Sequence, residues 1–181
     1  GVNLLHSKDY RVGTALVYDM GRSEGTYYRL RGRNDLSAAP ALKVFGEYVL
    51  FPVIVRADVR YNVGGVGGWI GDAGMYLPIA GNDHFFVFAG GSVTLADQNY
   101  MSHAFGVDEV EAAHTHLPTY TPGGGLKSAG VGTNATYIFG KHWFLDGVAA
   151  AARLTGPAGS SPVVNDRWQI AFSLSLAYDF R

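Results

Sequence analysis

Residues 168–181 read Trp168-Gln-Ile-Ala-Phe-Ser-Leu-Ser-Leu-Ala-Tyr-Asp-Phe-Arg181. Trp168, Ile170, Phe172, Leu174, Leu176, Tyr178 and Phe180 share one face of a period-2 repeat; Gln169, Ala171, Ser173, Ser175, Ala177 and Asp179 share the other. Successive strand side chains point to opposite faces, so the stretch predicts a strand with one apolar side. The water-facing side of a soluble sheet usually carries Lys, Glu and Thr. Here the second side is small or weakly polar, as the lumen of a narrow barrel requires. The first is large, unbroken and aromatic near its end, as lipid contact requires. The expected fold is an all-β, antiparallel transmembrane barrel with this strand as its last.

The composition agrees. Hydrophobic residues make up 48% of the 181 and charged residues only 16%, where an ordinary soluble domain has about 25% charged. A surface facing water needs more charge; a surface facing lipid does not. Glycine is 25 of 181, roughly twice the usual share of about 7%. No run approaches the roughly 18–20 apolar residues of a membrane helix. The longest comparable run, Tyr48 to Val55, is interrupted by Pro52. Backbone groups in lipid must be satisfied internally, which leaves a closed barrel as the way for strands to cross. A net charge of −1 gives no electrostatic case for nucleic acid. Cysteine is absent, so disulfides and thiolate metal sites are excluded. Gly1 opens the chain without methionine or signal peptide, as processing or truncation would leave it. The whole of 1–181 reads as a single domain.

Seven further strands are predicted upstream: Tyr10–Met20, Ala39–Leu50, Val53–Asn62, Trp69–Leu77, His84–Asp97, Gly124–Phe139 and His142–Leu154. That makes about eight. In the third, Arg56, Asp58 and Arg60 share a face, as a lumen charge ladder would. Arg11, Lys43, Glu47 and Asp72 take equivalent positions on neighbouring strands. The facing of the seventh is open, because Ala149–Ala152 carries no alternation, and Asp146 and Arg153 have opposite parity. The connections alternate short and long, as the turns and loops of bacterial barrels do. With the C-terminus periplasmic, residues 21–38, 63–68, 98–123 and 155–166 would lie outside the cell. Both termini of an eight-strand barrel would then be periplasmic. Tyr10, Tyr48, Phe85, Tyr137, Trp143, Tyr178 and Phe180 would form an aromatic girdle at one interface.

The longest insert, 98–122, contains Asp108-Glu-Val-Glu111, a capping-box pattern that predicts a short helix to about His114, stopped before Pro118. Tyr100, Phe105, Asp108, Glu111 and Tyr120 are its candidate interaction residues. His114 and His116 lie near acidic residues, but loop histidines are usually solvated, and no metal site is assigned. No nucleophile–base pair, phosphate loop or carboxylate dyad stands out. The run Val63–Gly68 would suit phosphate only if it opened a helix, and Trp69 begins a strand. Neither an enzyme nor a bound cofactor is expected.

Gly1-Val-Asn-Leu-Leu5, Phe45-Gly-Glu-Tyr48, Ala57-Asp-Val-Arg60, Phe105-Gly-Val107, Leu117-Pro-Thr-Tyr120, Gly123-Gly-Gly-Leu126, Ala152-Arg-Leu154, Ser161-Pro-Val-Val164 and Leu176-Ala-Tyr-Asp-Phe180 resemble the MipA/OmpV family. So does Ser92-Val-Thr-Leu-Ala-Asp-Gln-Asn-Tyr-Met101, and the order of motifs from Ser92 to Leu126 is the most specific part. The resemblance spans nearly the whole chain. It departs at His114-Thr-His116, where a small or basic residue is expected, and at the terminal Arg181.

The resemblance implies a Gram-negative outer-membrane barrel surrounded by lipid and lipopolysaccharide. It further implies a scaffold linking a lytic murein transglycosylase to a peptidoglycan synthase, with other members described as surface antigens or pores. Family members usually carry strands before the equivalent of Gly1, implying ten or twelve in all. Three readings stay open at this point: an envelope scaffold, a small pore for polar solutes, and adhesion through 98–123. The oligomeric state is open too.

Overall fold

The computed structural model describes residues 2–19, 39–64, 67–140 and 142–178. These form one antiparallel meander of nine strands, each paired to its sequence neighbours. The strands are β1 (Val2–His6), β2 (Tyr10–Asp19), β3 (Ala39–Leu50), β4 (Val53–Asn62), β5 (Trp69–Gly81), β6 (Phe85–Ala96), β7 (Gly125–Phe139), β8 (Trp143–Leu154) and β9 (Trp168–Tyr178). Three helices sit in the long connections: α1 (Gln98–Phe105), α2 (Glu109–Thr115) and α3 (Gly156–Gly159). Among the described residues no pairing joins β1 to β9, so the sheet is not closed there. Phe180 of the expected girdle, and the whole polar connection 21–38, lie outside the described residues.

Alternation sets which side each strand turns outward. The pairings Leu16↔Leu42, Leu42↔Tyr61, Tyr61↔Trp69, Val131↔Ala151 and Ala151↔Ile170 carry one continuous outer surface from strand to strand. Large apolar side chains lie bare on it: Leu16 is 82% exposed, Phe172 79% and Leu174 75%. In water such a surface would aggregate; against lipid it is the required one. Among the described residues of β2–β9, Arg153 is the one charged side chain at an outward position. It lies at the end of β8 beside Trp168, where a long side chain reaches the interface. The same pairings settle β8: Ala149 and Ala151 turn outward, while Asp146, Ala150 and Ala152 turn inward.

The outer face ends in aromatic belts. Towards the short turns, Tyr10 pairs with Tyr48 and Phe85 with Tyr137, while Phe139, Trp143 and Tyr178 form a chain of ring contacts at 6.2 and 4.9 Å. Towards the long connections, Tyr61 packs on Trp69 at 4.9 Å, and Trp168 opens β9. The ten steps from Trp168 to Tyr178 cover about 33 Å of strand, or about 25 Å of height at a tilt of about 40°. That equals the apolar band of an outer-membrane barrel.

Three elements differ from expectation. The strand β1 is additional. It pairs with β2 through a register shift between Asn3 and Leu5, and its five residues are too short to show a clear alternation. Being the ninth, it puts Val2 at the long-connection end and Tyr178 at the short-turn end. The expectation that both ends of the chain share a side does not fit these strands. The strand β5 continues past Pro78 to Gly81. A shift in pairing between Pro78 and Ala80 accommodates the proline's missing N–H. Helix α1 is additional too, since the only helix predicted in the long insert is the one starting at Asp108.

Helix α1 forms because Asp97 caps it, its carboxylate accepting the Tyr100 N–H at 2.7 Å. Its apolar side carries Met101 and Phe105 into a cluster with Ile70, Ala96, Leu154 and Ala158. The loop at Gly68 passes so close that a Cβ there would collide with Asp97 and the Tyr100 N–H, and its φ of +82° suits only glycine without strain. Helix α2 follows the predicted capping pattern, with the Glu111 N–H donating to Asp108 at 2.7 Å. It ends at His116 in the left-handed conformation. Two hydrogen bonds join the segments: the Tyr120 hydroxyl donates to Pro157 O at 2.7 Å, and the Ser161 hydroxyl to Phe105 O at 2.6 Å. The long-connection end is thus covered by a helical cap whose apolar core rests on inward-facing Ile70, Ala96 and Leu154.

Candidate functional site in the lumen

Below the cap the inner face is charged. Arg11, Glu47 and Arg56 lie side by side on β2, β3 and β4. The Glu47 carboxylate takes Arg56 Nε at 2.5 Å and Arg11 more loosely at 3.4 Å. The Arg56 guanidinium also lies over the Tyr76 ring, 5.3 Å from its centre. Tyr76 finds room because glycine stands next to it: a Cβ on Gly90 would strike the Met75 carbonyl and the Tyr76 ring. Further along, Lys43 pairs with Asp58 at 2.9 Å.

Asp58 stands directly opposite Asp72 across the β4–β5 pairing, an unfavourable juxtaposition on its own. Lys43 relieves it on one side. On the other, Asp72 accepts the Thr94 hydroxyl at 2.5 Å and lies within electrostatic range of Lys127, which also feels Arg60. The Arg60 Nε makes no hydrogen bond among the described residues.

The seven residues of the predicted ladder therefore all turn inward, but in two groups. Arg11, Lys43, Glu47, Arg56 and Asp58 line a cavity of about 830 Å³, whereas Arg60 and Asp72 do not. Phe88, Asn134, Thr136 and Asp146 line the same cavity, so β6–β8 face β2–β4 across it. Asp146 accepts the Thr136 hydroxyl at 2.5 Å.

Lys127 and Asp146 were missed from sequence. Strict parity puts Lys127 on the outer face with Ala129 and Val131, in lipid. The register shift between Thr94 and Leu95 gives β7 one extra residue, and Lys127 is that residue, freed from the outward parity and within the electrostatic reach of Asp72. A lone lysine at a lipid-facing position was the available signal. Asp146 needed the facing of β8, which only its pairings supply.

The candidate interaction residues of 98–123 are built into the cap. Phe105 and Glu111 are buried, Tyr100 packs against the apolar cluster, Asp108 caps α2 and Tyr120 binds Pro157. His114 engages the Val110 carbonyl through Nδ1 at 2.8 Å, and His116 terminates α2.

No curated protein and no solved structure matches the chain. A family model described as MltA-interacting protein MipA matches residues 1–180. With that match over essentially its whole length, and a strand sheet that is apolar outside and charged within, the chain belongs to the MipA family of outer-membrane β-barrel proteins.

Proposed function

We propose that this protein is a non-enzymatic interaction protein of the outer membrane whose partner is a lytic murein transglycosylase. The family match over residues 1–180 carries this reading, since the family is described by its interaction with MltA. A role as scaffold would add a peptidoglycan synthase to the same assembly. The cap supports interaction over transport: Met101, Phe105 and Ala158 pack on Ile70, Ala96 and Leu154 where an open pore would hold water. In this reading the short turns, Ser7–Asp9, Phe51–Pro52, Asn82–His84 and the one at Gly140, face the periplasm and the partner. The helical cap faces outward.

The test is binding of a purified lytic transglycosylase to this protein in nanodiscs, followed by surface plasmon resonance. Saturable binding that is lost when the turn at Asn82–His84 is replaced by Gly-Ser residues is expected. Absence of saturable binding overturns the reading. The charged cavity keeps a small pore as a second reading. It predicts discrete conductance in planar bilayers, which the packed cap should prevent.

A further inference from the structure

The cavity in the lumen has two walls of opposite character. On β2–β4, three cations (Arg11, Lys43, Arg56) face two carboxylates (Glu47, Asp58), leaving one positive charge in excess. Lys43 and Arg56 are engaged at 2.9 and 2.5 Å, so the excess rests on Arg11. Arg11 holds Glu47 only at 3.4 Å, and its side chain is 48% exposed. Across the cavity the charge is reversed. Asp146 accepts the Thr136 hydroxyl, and no cation pairs with it among the described residues. Asn134 and Thr136 add neutral hydrogen-bonding groups to that wall.

A loosely held cation on one wall and a carboxylate without a cation on the other create a field across the cavity. A solute with a single charge gains from one wall and is repelled by the other. A dipolar solute aligned with the field gains from both. The geometry points to a binding site for small zwitterions that carry a free carboxylate and a free ammonium, as amino acids and short peptides do. The carboxylate is held at Arg11 and the ammonium at Asp146. A sphere of 830 Å³ is about 12 Å across, close to the roughly 10 Å span of an extended tripeptide. The site is independent of the transglycosylase reading, which concerns the outside of the turns.

Calorimetric titration of the full chain in detergent tests this with trialanine, its N-acetylated form and its C-amidated form. Trialanine is expected to bind about tenfold more tightly than either blocked form, the ratio a single close charge pair supplies. Asp146→Asn keeps an oxygen for the Thr136 hydroxyl and so leaves the strand pairing in place. It should equalise trialanine and the acetylated peptide, and Arg11→Gln should equalise trialanine and the amide. Equal affinities for all three peptides, no binding of trialanine, or preferences unchanged in both variants would overturn the proposal. Heat-modifiable migration of each variant confirms that the barrel has folded.

Discussion

Inward positions of this barrel are chosen for what stands beside them. Glu47 is acidic because two arginines flank it on neighbouring strands, and Asp58 can face Asp72 because Lys43 pairs with Asp58 while Asp72 accepts the Thr94 hydroxyl. Glycine plays the complementary part, giving Tyr76 and Arg56 space to stack. Gly90 and Gly91 are adjacent in sequence and opposite in role. A methyl on Gly90 meets the Met75 backbone and Tyr76, whereas one on Gly91 comes no nearer than 3.7 Å to Gly130 O. Gly90→Ala is expected to lower unfolding stability in urea by about 1–3 kcal/mol. Gly91→Ala should stay within about 0.5 kcal/mol of the parent. Equal effects of the two would mean that Tyr76 is not packed as described. At this scale, parity identified Arg11, Lys43, Glu47, Arg56, Asp58, Arg60 and Asp72 as inward. It could not identify Lys127, because one extra residue in β7 reverses the count beyond it.

At the scale of elements, the cap shows how a polar insert becomes ordered. Helices α1 and α2 are too short to persist alone in water, where marginal stability begins at about 12–15 residues. Asp97 and Asp108 supply their side chains as caps, and the cluster around Met101 supplies the apolar burial. The Ser161 hydroxyl, itself buried, ties α1 to the connection after α3. A net hydrogen bond contributes about 1 kcal/mol, so Ser161→Ala should speed amide exchange across residues 98–105 by about fivefold. Exchange in β7 and β8 should not change. Uniform acceleration throughout the barrel would show that the cap does not open as a separate unit. The sequence pattern reached α2 through its capping box. It did not reach α1, since the tertiary contacts of Met101 and Phe105 rather than a strong local pattern hold that helix.

For the whole molecule, the organising quantity is the height of the apolar band. The chain has three tryptophans, Trp69, Trp143 and Trp168. All lie on the outer face at strand ends, between 40% and 58% exposed. Rings at such positions favour the level where headgroup meets hydrocarbon, and that is where all three are expected. In bilayers containing brominated lipids, fluorescence should be quenched strongly by bromine near the headgroup and weakly by bromine near the acyl terminus. Stronger quenching by the deep label would place the tryptophans at the middle of the membrane and contradict the band. Width is a separate matter from height, because strand number sets it; the nine strands here form a sheet whose first and last members do not pair among the described residues.

Strand identity, strand facing and the fold class were legible in the chain because a strand's period of two is local, and an apolar outside with a small, polar inside is written directly into that period. The last strand alone carried most of it. Pairing partners are not local. The additional strand β1, the continuation of β5 beyond Pro78, the inward turn of Lys127 and the opposition of Arg11 to Asp146 across one cavity all depend on register and curvature. Those are decided by contacts between residues far apart in sequence. One residue gained in β7 or displaced in β5 changes which side chains meet without altering the composition or alternation of either strand, so only the folded sheet discloses it.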